Sequence, residues 1–188
     1  MEFVQDVTIK EKNFTTTPYL PAEYDQCIFQ NCIFTGVHIS NTSFLECTFI
    51  DCNLSNTQWG GTTLNDVSFE NCKLVGADFT SCNDFLLSIR FRESVLNLAN
   101  FSSLPLDRTS LKHCVMNEVD FTNTSLQNAT FEQSNLERSI FKNTNISSAD
   151  FTTALNFSIN PSENNLRKAV FAKDNLTGLL LHTGITIT

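Results

Sequence analysis

Large apolar side chains recur at every fifth position along most of this chain. They fill twelve consecutive positions of the series in residues 24–79 and thirteen in residues 91–151, without an exception. The residue two places before each of them is Ala, Cys, Ser, Thr or Val in 23 of the 25 repeats, the exceptions being Ile89 and Leu104. Alternate residues of an extended segment lie on the same face, so each small and large pair shares one side of a short strand.

A strict period of five is incompatible with a straight helix or a straight strand. Successive members would rotate by about 140° around a helix and scatter around its axis. On a strand, an odd step would alternate between the two faces and leave half of the phenylalanines in water. Only a chain that bends after each five-residue side directs every large residue inward. The period therefore predicts an all-β solenoid, a rod that is filled by its own side chains.

The regular series is preceded and interrupted by irregular segments. An imperfect first coil that caps the rod is indicated by three residues in register, Ile9, Phe14 and Tyr19. Two extra residues separate Phe79 from Phe91, because these positions are twelve apart where ten is expected. Residues 82–90 are therefore predicted to form a kink or bulge, with Phe85 or Leu86 as the inward residue.

Beyond residue 153 the register weakens. Residues 156–165 contain Asn160-Pro161-Ser162 and lack an inward residue in register, which indicates a loop. The predicted segments are an N-terminal cap (1–21), a first β-helix segment (22–81), a kink (82–90), a second β-helix segment (91–153), a loop with the last partial coil (154–172), and a C-terminal helix and strand (173–188).

The C-terminal residues 173–188 have a helical pattern instead. Asp174 suits a helix N-cap and Gly184 suits the end of that helix. The isoleucines that follow alternate with threonine, as in a short strand. A helix this short cannot bury its leucines alone, so the tail is either a cap on the rod or a homodimer interface. The candidate dimerisation residues are Leu176, Leu179, Leu180, Leu181, Ile185 and Ile187.

The cysteines invite a metal-site interpretation that their positions do not favour. Cys27/Cys32 and Cys47/Cys52 have the look of paired metal ligands. However, every one of the seven cysteines falls on the small inward position, where Cys behaves as a small hydrophobic residue. The core role is favoured, and no metal or cofactor is expected.

No catalytic constellation is apparent in the sequence. His38, His113 and His182 lie far apart and have no nucleophile or carboxylate pair in register. There is no Gly-rich phosphate loop and no Gly-x-Ser-x-Gly motif. A rod filled by its own phenylalanines leaves no pocket in which a substrate is desolvated, so we expect a protein that is not an enzyme.

The formal net charge of −8 is unevenly distributed. Residues 13–72 contain six acidic residues and no Lys or Arg. An acidic surface repels phosphates, which argues against direct nucleic-acid binding. The partner-contact candidates are Glu46, Asp51, Asp66 and Glu70; the alternative is an acidic surface that is simply solvated. Residues 1–10 lack a signal-type apolar run and no stretch reaches membrane-spanning length, so we expect a cytoplasmic protein that does not bind a membrane.

Three repeats carry a family resemblance: Ala77-Asp78-Phe79, Ala99-Asn100-Phe101 and Ala149-Asp150-Phe151. Together with the period, they make residues 22–153 resemble the pentapeptide-repeat family. The resemblance implies a right-handed quadrilateral β-helix with four pentapeptides per turn. Residues 20 apart then stack about 4.8 Å apart.

Stacking at this interval implies which side chains are neighbours. Three ring columns are expected, formed by Phe29, Phe49 and Phe69, by Phe101, Phe121 and Phe141, and by Phe131, Phe151 and Phe171. Opposite charges are expected to meet in the second half of the chain, as Lys112 with Glu132 and Glu118 with Arg138. In the first half, Glu46 stacks on Asp66 with no cation expected beside them.

Acidity, the mid-chain discontinuity and the C-terminal tail also resemble the Qnr-like quinolone-resistance proteins within that family. This resemblance implies a homodimeric DNA mimic that binds DNA gyrase or topoisomerase IV and confers quinolone resistance. The chain lacks the long loops between coils that plasmid-borne members use for protection. The alternative function is a general interaction or assembly scaffold whose partner the sequence does not name.

Overall fold

The computed structural model describes residues 2–17 and 19–185 of the chain, which form a parallel β-solenoid. In these residues, ten strands of three or four residues form parts of the coil. The strands are β1 (Glu2–Gln5), β2 (Thr8–Lys10), β3 (Ala22–Asp25), β4 (Ile28–Gln30), β5 (Ser43–Leu45), β6 (Thr48–Ile50), β7 (Thr63–Asn65), β8 (Val67–Glu70), β9 (Ile89–Arg92) and β10 (Ser110–Lys112). A 3₁₀ turn (Lys173–Asn175) and one short helix, α1 (Thr177–Leu180), follow near the C-terminus.

The strands pair in parallel with partners that lie one coil, usually twenty residues, away. One sheet has the order β1-β3-β5-β7, and the other has the order β10-β9-β8-β6-β4-β2. The two remaining sides of the coil are joined by isolated bridges, such as Ile33 with Asn53 and Gln58 with Asp78. This arrangement confirms the predicted all-β solenoid with four five-residue sides and a short C-terminal helix.

The inward residues stack into columns of rings along the axis. In the first column, Phe29, Phe49 and Phe69 follow one another at 4.7 and 5.1 Å between ring centroids. Neighbouring columns meet edge to face, as between Phe44 and Phe49 at 5.3 Å. The other two predicted columns are also stacked, and they contain Phe101, Phe121 and Phe141, and Phe131, Phe151 and Phe171. The rings therefore occupy the axis of the rod.

Many corners of the coil hold a residue in the left-handed backbone conformation. Asn31, Asp51 and Asn71 have φ of 55°, 54° and 50°. Asn, Asp and Gly adopt this conformation at lower cost than other residues, which explains the turn-forming residues after each large one. At Gly76, with φ of 67°, a Cβ atom would also lie 2.5 Å from the Oδ1 atom of Asn56.

The two extra residues are accommodated at one corner. Asn83 still bridges to Thr63, twenty residues earlier, whereas Ile89 of β9 pairs with Val67 of β8, twenty-two residues earlier. The insertion therefore lies between Asn83 and Ile89. The sides of the coil before and after it keep their stacking.

Neither residue predicted to fill the core at this corner does so. Phe85 and Leu86 are 72% and 60% exposed, so that prediction is wrong. Leu87 packs half-buried against the core instead. The inserted residues extend the corner outward because the strands on either side already hold their places in the ladder.

The last coil contains two inward residues that the five-residue series does not predict. Phe157 and Ile159 are buried within residues 156–165, although neither stands in register. Both residues fall outside the five-residue series and were missed for that reason. The Ile159 amide donates a hydrogen bond of 2.9 Å to the Gly178 carbonyl, which ties this side to α1. Gly178 has no room for a Cβ atom against the carbonyl oxygen and ring of Phe157.

The helix is shorter than its leucine pattern suggested. Asp174 is not its N-cap, because it lies within the 3₁₀ turn, whereas Leu176 occupies the N-cap position of α1 without a capping side chain. Gly184 adopts φ of 72° just after this region. Ile185 has no regular secondary structure, and the rest of the expected strand, including Ile187, lies outside the described residues.

Candidate protein-binding surface

The exterior of the rod carries the groups that are free to meet a partner, since rings fill the axis. Within residues 2–17 and 19–185, no group of three His, Cys, Asp or Glu side chains is placed to hold a metal ion. None of the helices in that part of the chain has the length and hydrophobicity needed to cross a membrane. The candidate site therefore lies among the surface charges and exposed apolar side chains.

The four acidic candidates border one side of the rod. Glu46 precedes β6 and Asp51 follows it, while Asp66 precedes β8 and Glu70 ends it. Strands β6 and β8 are neighbours, with Ile50 paired to Glu70. All four carboxylates thus lie along the outer side of the six-stranded sheet, here called the sheet face.

Two of these carboxylates are held by amide side chains from adjacent coils. The Nε2 atom of Gln26 donates to the Glu46 carboxylate at 3.0 Å. The Nδ2 atom of Asn71 donates to Asp51 at 2.6 Å. Both carboxylates keep their charge uncompensated in these contacts, because an amide donates a hydrogen bond without carrying a charge.

Asp66 differs because it forms an ion pair with Arg90. The expectation that no cation adjoins Glu46 and Asp66 is therefore wrong. The reason is the two-residue insertion at the bulge, which lengthens the pairing interval to twenty-two residues and places Arg90 of β9 directly beside Ser68 of β8. A stacking interval of twenty, applied to the sequence, would instead have placed this arginine beside Glu70.

A group of four cations follows the acids along the same sheet face. Arg90 and Arg92 lie in β9, Arg108 precedes β10, and Lys112 ends β10; these four residues are called the basic patch. In register, Arg92 is the partner of Glu70. The sheet face is thus acidic around β6 and β8 and basic around β9 and β10.

The two ion pairs predicted for the second half are present. The Lys112 Nζ lies 3.0 Å from the Glu132 carboxylate, and the Arg138 guanidinium lies 4.0 Å from that of Glu118. All four side chains are about half exposed or more. Exposed pairs of this kind contribute about 0–1 kcal/mol each, so they say more about surface patterning than about stability.

The C-terminal leucines divide between the core and solvent. Leu179 packs half-buried against the core, whereas Leu176, Leu180, Leu181 and Ile185 are exposed. These four exposed residues are called the terminal patch. A cavity of about 460 Å³ adjoins the patch between α1 and the last coil, and its lining includes Leu155, Phe157, Gly178 and Leu181.

The seven cysteines are all buried and unlinked. Their thiols donate to backbone carbonyls, as from Cys47 to the Tyr24 oxygen at 3.4 Å. Burial raises the pKa of Cys47 to about 12 and the pKa values of Cys82 and Cys114 to about 11. A thiol must ionise to act as a nucleophile or a metal ligand, so these side chains are suited to packing.

The three histidines lie at exposed positions on the rod. One ring nitrogen of His182 lies 2.9 Å from the Ser158 hydroxyl. His38 lies in a bridge to Gln58, on a different side of the coil from His113. The structure does not bring the three histidines together.

Sequence reasoning missed two features of this surface. The first is the exposed pair Phe85 and Leu86 at the bulge, which apolar character alone assigned to the core. The second is the basic patch, whose members are separated by the coil. A period of twenty applied after the insertion would have identified the patch, since Arg92 and Lys112 are one coil apart.

Comparison with known proteins places this rod in a family. A family model described as a pentapeptide repeat region matches residues 22–101, and a second, described as pentapeptide repeats (8 copies), matches residues 114–152. The two together span more than half of the chain, which belongs to the pentapeptide-repeat family. No curated protein is significantly similar to it in sequence.

Solved structures share the fold. A trypsin-treated variant of QnrB1, a plasmid-mediated fluoroquinolone resistance protein, superimposes with a TM-score of 0.78 at 16% identity, over 100% of this chain and 92% of that chain. A second trypsin-treated QnrB1 variant gives a TM-score of 0.51 at 19% identity, over 100% and 98%. HetL, involved in heterocyst differentiation regulation in the cyanobacterium Nostoc sp. strain PCC 7120, gives 0.37 at 15% identity, over 91% and 86%. At these identities the likeness to the two QnrB1 structures concerns the fold alone.

Proposed function

We propose that this chain is a non-enzymatic protein-binding rod that acts as a DNA mimic. Its acidic strip, Glu46, Asp51 and Glu70 with Asp66 at its edge, docks on the DNA-binding surface of a type II topoisomerase, DNA gyrase or topoisomerase IV, and protects it from quinolones. The observation that carries the proposal is the alignment of these carboxylates along one side of a rigid rod. Resemblance to Qnr-like proteins in fold, acidity and C-terminal tail suggests the class of partner.

The spacing of the charges supports the mimicry locally. The β6 and β8 coils each contribute two acids and lie about 4.8 Å apart, which corresponds to roughly one charge per 2.4 Å. Duplex DNA carries one charge per ~1.7 Å. The acidic strip therefore approaches the charge density of DNA, although the Arg90 ion pair reduces the contribution of Asp66.

A supercoiling assay with purified gyrase tests the function directly. The protein is expected to inhibit supercoiling, to restore activity in the presence of a quinolone, and to retain gyrase in a pulldown. A variant with Glu46→Gln, Asp51→Asn and Glu70→Gln is expected to lose most of this binding in low salt. Asp66→Asn alone is expected to have a smaller effect, because Arg90 already neutralises that carboxylate.

A matched control removes charge elsewhere on the rod. Glu118 and Glu137 lie on another side of the coil, near the bridge positions Val115 and Asn135. The double variant Glu118→Gln/Glu137→Gln is expected to bind gyrase as the wild type does. If both sets of substitutions weaken gyrase binding equally, the acidic strip contributes only a non-specific charge effect.

The rod is proposed to act as a homodimer joined through its terminal patch. Four exposed apolar side chains beside a cavity form a surface that a second copy would cover. Leu181→Asp, or truncation before Lys173, is expected to give a monomer in light scattering. Leu98→Asp is the matched control, since Leu98 is similarly exposed but lies at a corner of the rod. A wild-type protein that is already monomeric refutes the dimer.

A second candidate function is a general interaction or assembly scaffold. The exposed Phe85 and Leu86 favour it, because a large exposed apolar pair suits a contact that is unrelated to charge. The scaffold function is supported over the DNA mimic if the protein does not inhibit gyrase, does not restore activity in the presence of a quinolone, and does not capture a topoisomerase.

A further inference from the structure

The sheet face carries two charge groups of opposite sign side by side along the rod. Strands β6 and β8 are bordered by the acids, and strands β9 and β10 carry the basic patch. The four strands are consecutive in the sheet, in the order β10-β9-β8-β6. The boundary between the two charge groups therefore lies between β8 and β9.

We infer that the sheet face binds the sheet face of a second copy of this chain, with the two rods antiparallel. A twofold axis along the strand direction, placed between β8 and β9, sets β8 against β9 of the second copy and β6 against β10. The contact is self-complementary, as a twofold interface requires. It does not depend on the proposed topoisomerase binding or on the terminal patch.

This axis matches charges at the level of single positions. Rotation about this axis does not change the position of a residue along the strand direction. A residue at the corner before one strand therefore faces the residue at the corner before the opposing strand of the other copy. Glu46, before β6, then faces Arg108, before β10. Glu70, which ends β8, faces Arg92, the residue paired with it in register within its own chain. By symmetry each match occurs twice.

The alternative orientation fails on charge. An axis parallel to the rod would set each coil against the same coil of the second copy with its strand reversed. Glu46 would then face Asp51 across the contact, which opposes like charges at both ends of β6. Only the antiparallel arrangement sets acids against bases.

The charges matched between copies include those left uncompensated within one copy. Among residues 2–17 and 19–185 the ion pairs are Arg90 with Asp66, Arg92 with Glu93, Lys112 with Glu132, and Arg138 with Glu118. Glu46, Glu70 and Arg108 take part in none of them. A second copy supplies the opposite charge to each of these three.

The size of the face determines how tight this contact is. The ladder of this face has eight positions from β2 to Asp150, because bridges add Thr130 and Asp150 to the six strands. At about 4.8 Å per position and a side about 10 Å wide, the face covers roughly 400 Å² per copy, about half of a standard interface. The contact is therefore weak and dependent on concentration. Because its charges are exposed, salt screens it. Any association through the apolar terminal patch persists in high salt, which separates the two contacts.

The test is sedimentation velocity of the full-length chain over a range of concentrations, in low and in high salt. The wild type is expected to show a self-association step that weakens as salt rises. Glu46→Arg and Arg108→Glu are each expected to weaken that step by about tenfold, since each reverses two symmetric pairs. Circular dichroism checks that both variants keep the wild-type spectrum.

The decisive experiment mixes the two variants. A Glu46→Arg copy and an Arg108→Glu copy oppose unlike charges at both symmetric pairs. The mixture is therefore expected to regain wild-type association, although each variant alone associates about tenfold more weakly. Misfolding of one variant would not produce such a recovery. A mixture that remains as weak as its components overturns the inference. So does a wild-type protein without a salt-sensitive step, or one whose step is unchanged in both variants.

Discussion

Removing the Phe49 ring should be among the most destabilising single substitutions in this rod. Phe49 is fully buried in the middle of its column. Its ring stacks between Phe29 and Phe69 at 4.7 and 5.1 Å and meets Phe34, Phe44 and Trp59 edge to face. Phe→Ala substitution in a close-packed core costs about 3–5 kcal/mol. Aromatic pairs add about 0.5–1.5 kcal/mol each without being additive, so we expect the upper end of that range for Phe49→Ala.

Chemical denaturation followed by far-ultraviolet circular dichroism measures this loss. Phe49→Leu keeps much of the volume and is expected to cost markedly less than Phe49→Ala. Ile28→Ala is the matched control on the outer side of β4, with an expected cost of about 1 kcal/mol or less. Phe171→Ala, at the half-buried end of a column, should fall between them. If Phe49→Ala costs no more than Ile28→Ala, the stacked columns do not hold this rod together.

Three further predictions follow from single contacts and dihedral angles. Trp59→Phe should leave the free energy of unfolding unchanged or raise it, because the buried Trp59 Nε1 has no hydrogen-bond partner among the described residues. A decrease of more than about 1 kcal/mol in the free energy of unfolding, measured by denaturation, would contradict this. Leu98 has φ of 61°, a backbone conformation that costs leucine more than glycine, so Leu98→Gly should raise the melting temperature. Gly76→Ala should lower it, because alanine would be strained at φ of 67°. The reverse order of melting temperatures would refute this reasoning. The free energy of unfolding should fall as the pH rises above about 9. Burial raises the pKa of Cys47 to about 12 in the folded state, so between these pH values the unfolded state loses a thiol proton that the folded state keeps. Melting scans from pH 8 to pH 11 should show a smaller fall for Cys47→Ala, and an equal fall would exclude this thiol as a cause.

The charge pattern shows where prediction from the sequence stopped. An interval of twenty residues correctly paired Lys112 with Glu132 and Glu118 with Arg138, because the regular coil repeats without interruption there. The same interval failed for Asp66, since the insertion shifts the ladder by two residues and brings Arg90 alongside. A local irregularity thus changed the electrostatics of the acidic strip.

The C-terminal region was predicted less well for a related reason. Periodicity identifies residues that share a direction within a repeat, but Phe157 and Ile159 enter the core outside any repeat. Their burial depends on α1, whose Gly178 carbonyl accepts the Ile159 amide and whose backbone lies against Phe157. Such contacts between segments leave no periodic signal in the sequence.

The five-residue period is sufficient to specify the rod, because a large residue at every fifth position can be buried only if the chain turns after each side. It also determined the inward columns and the burial of the cysteines, which share that period. The tertiary structure alone decided which surface charges face one another and which leucines of the tail are covered. Those outcomes depend on the coil insertion and on the docking of α1, where packing between distant segments overrides the local repeat.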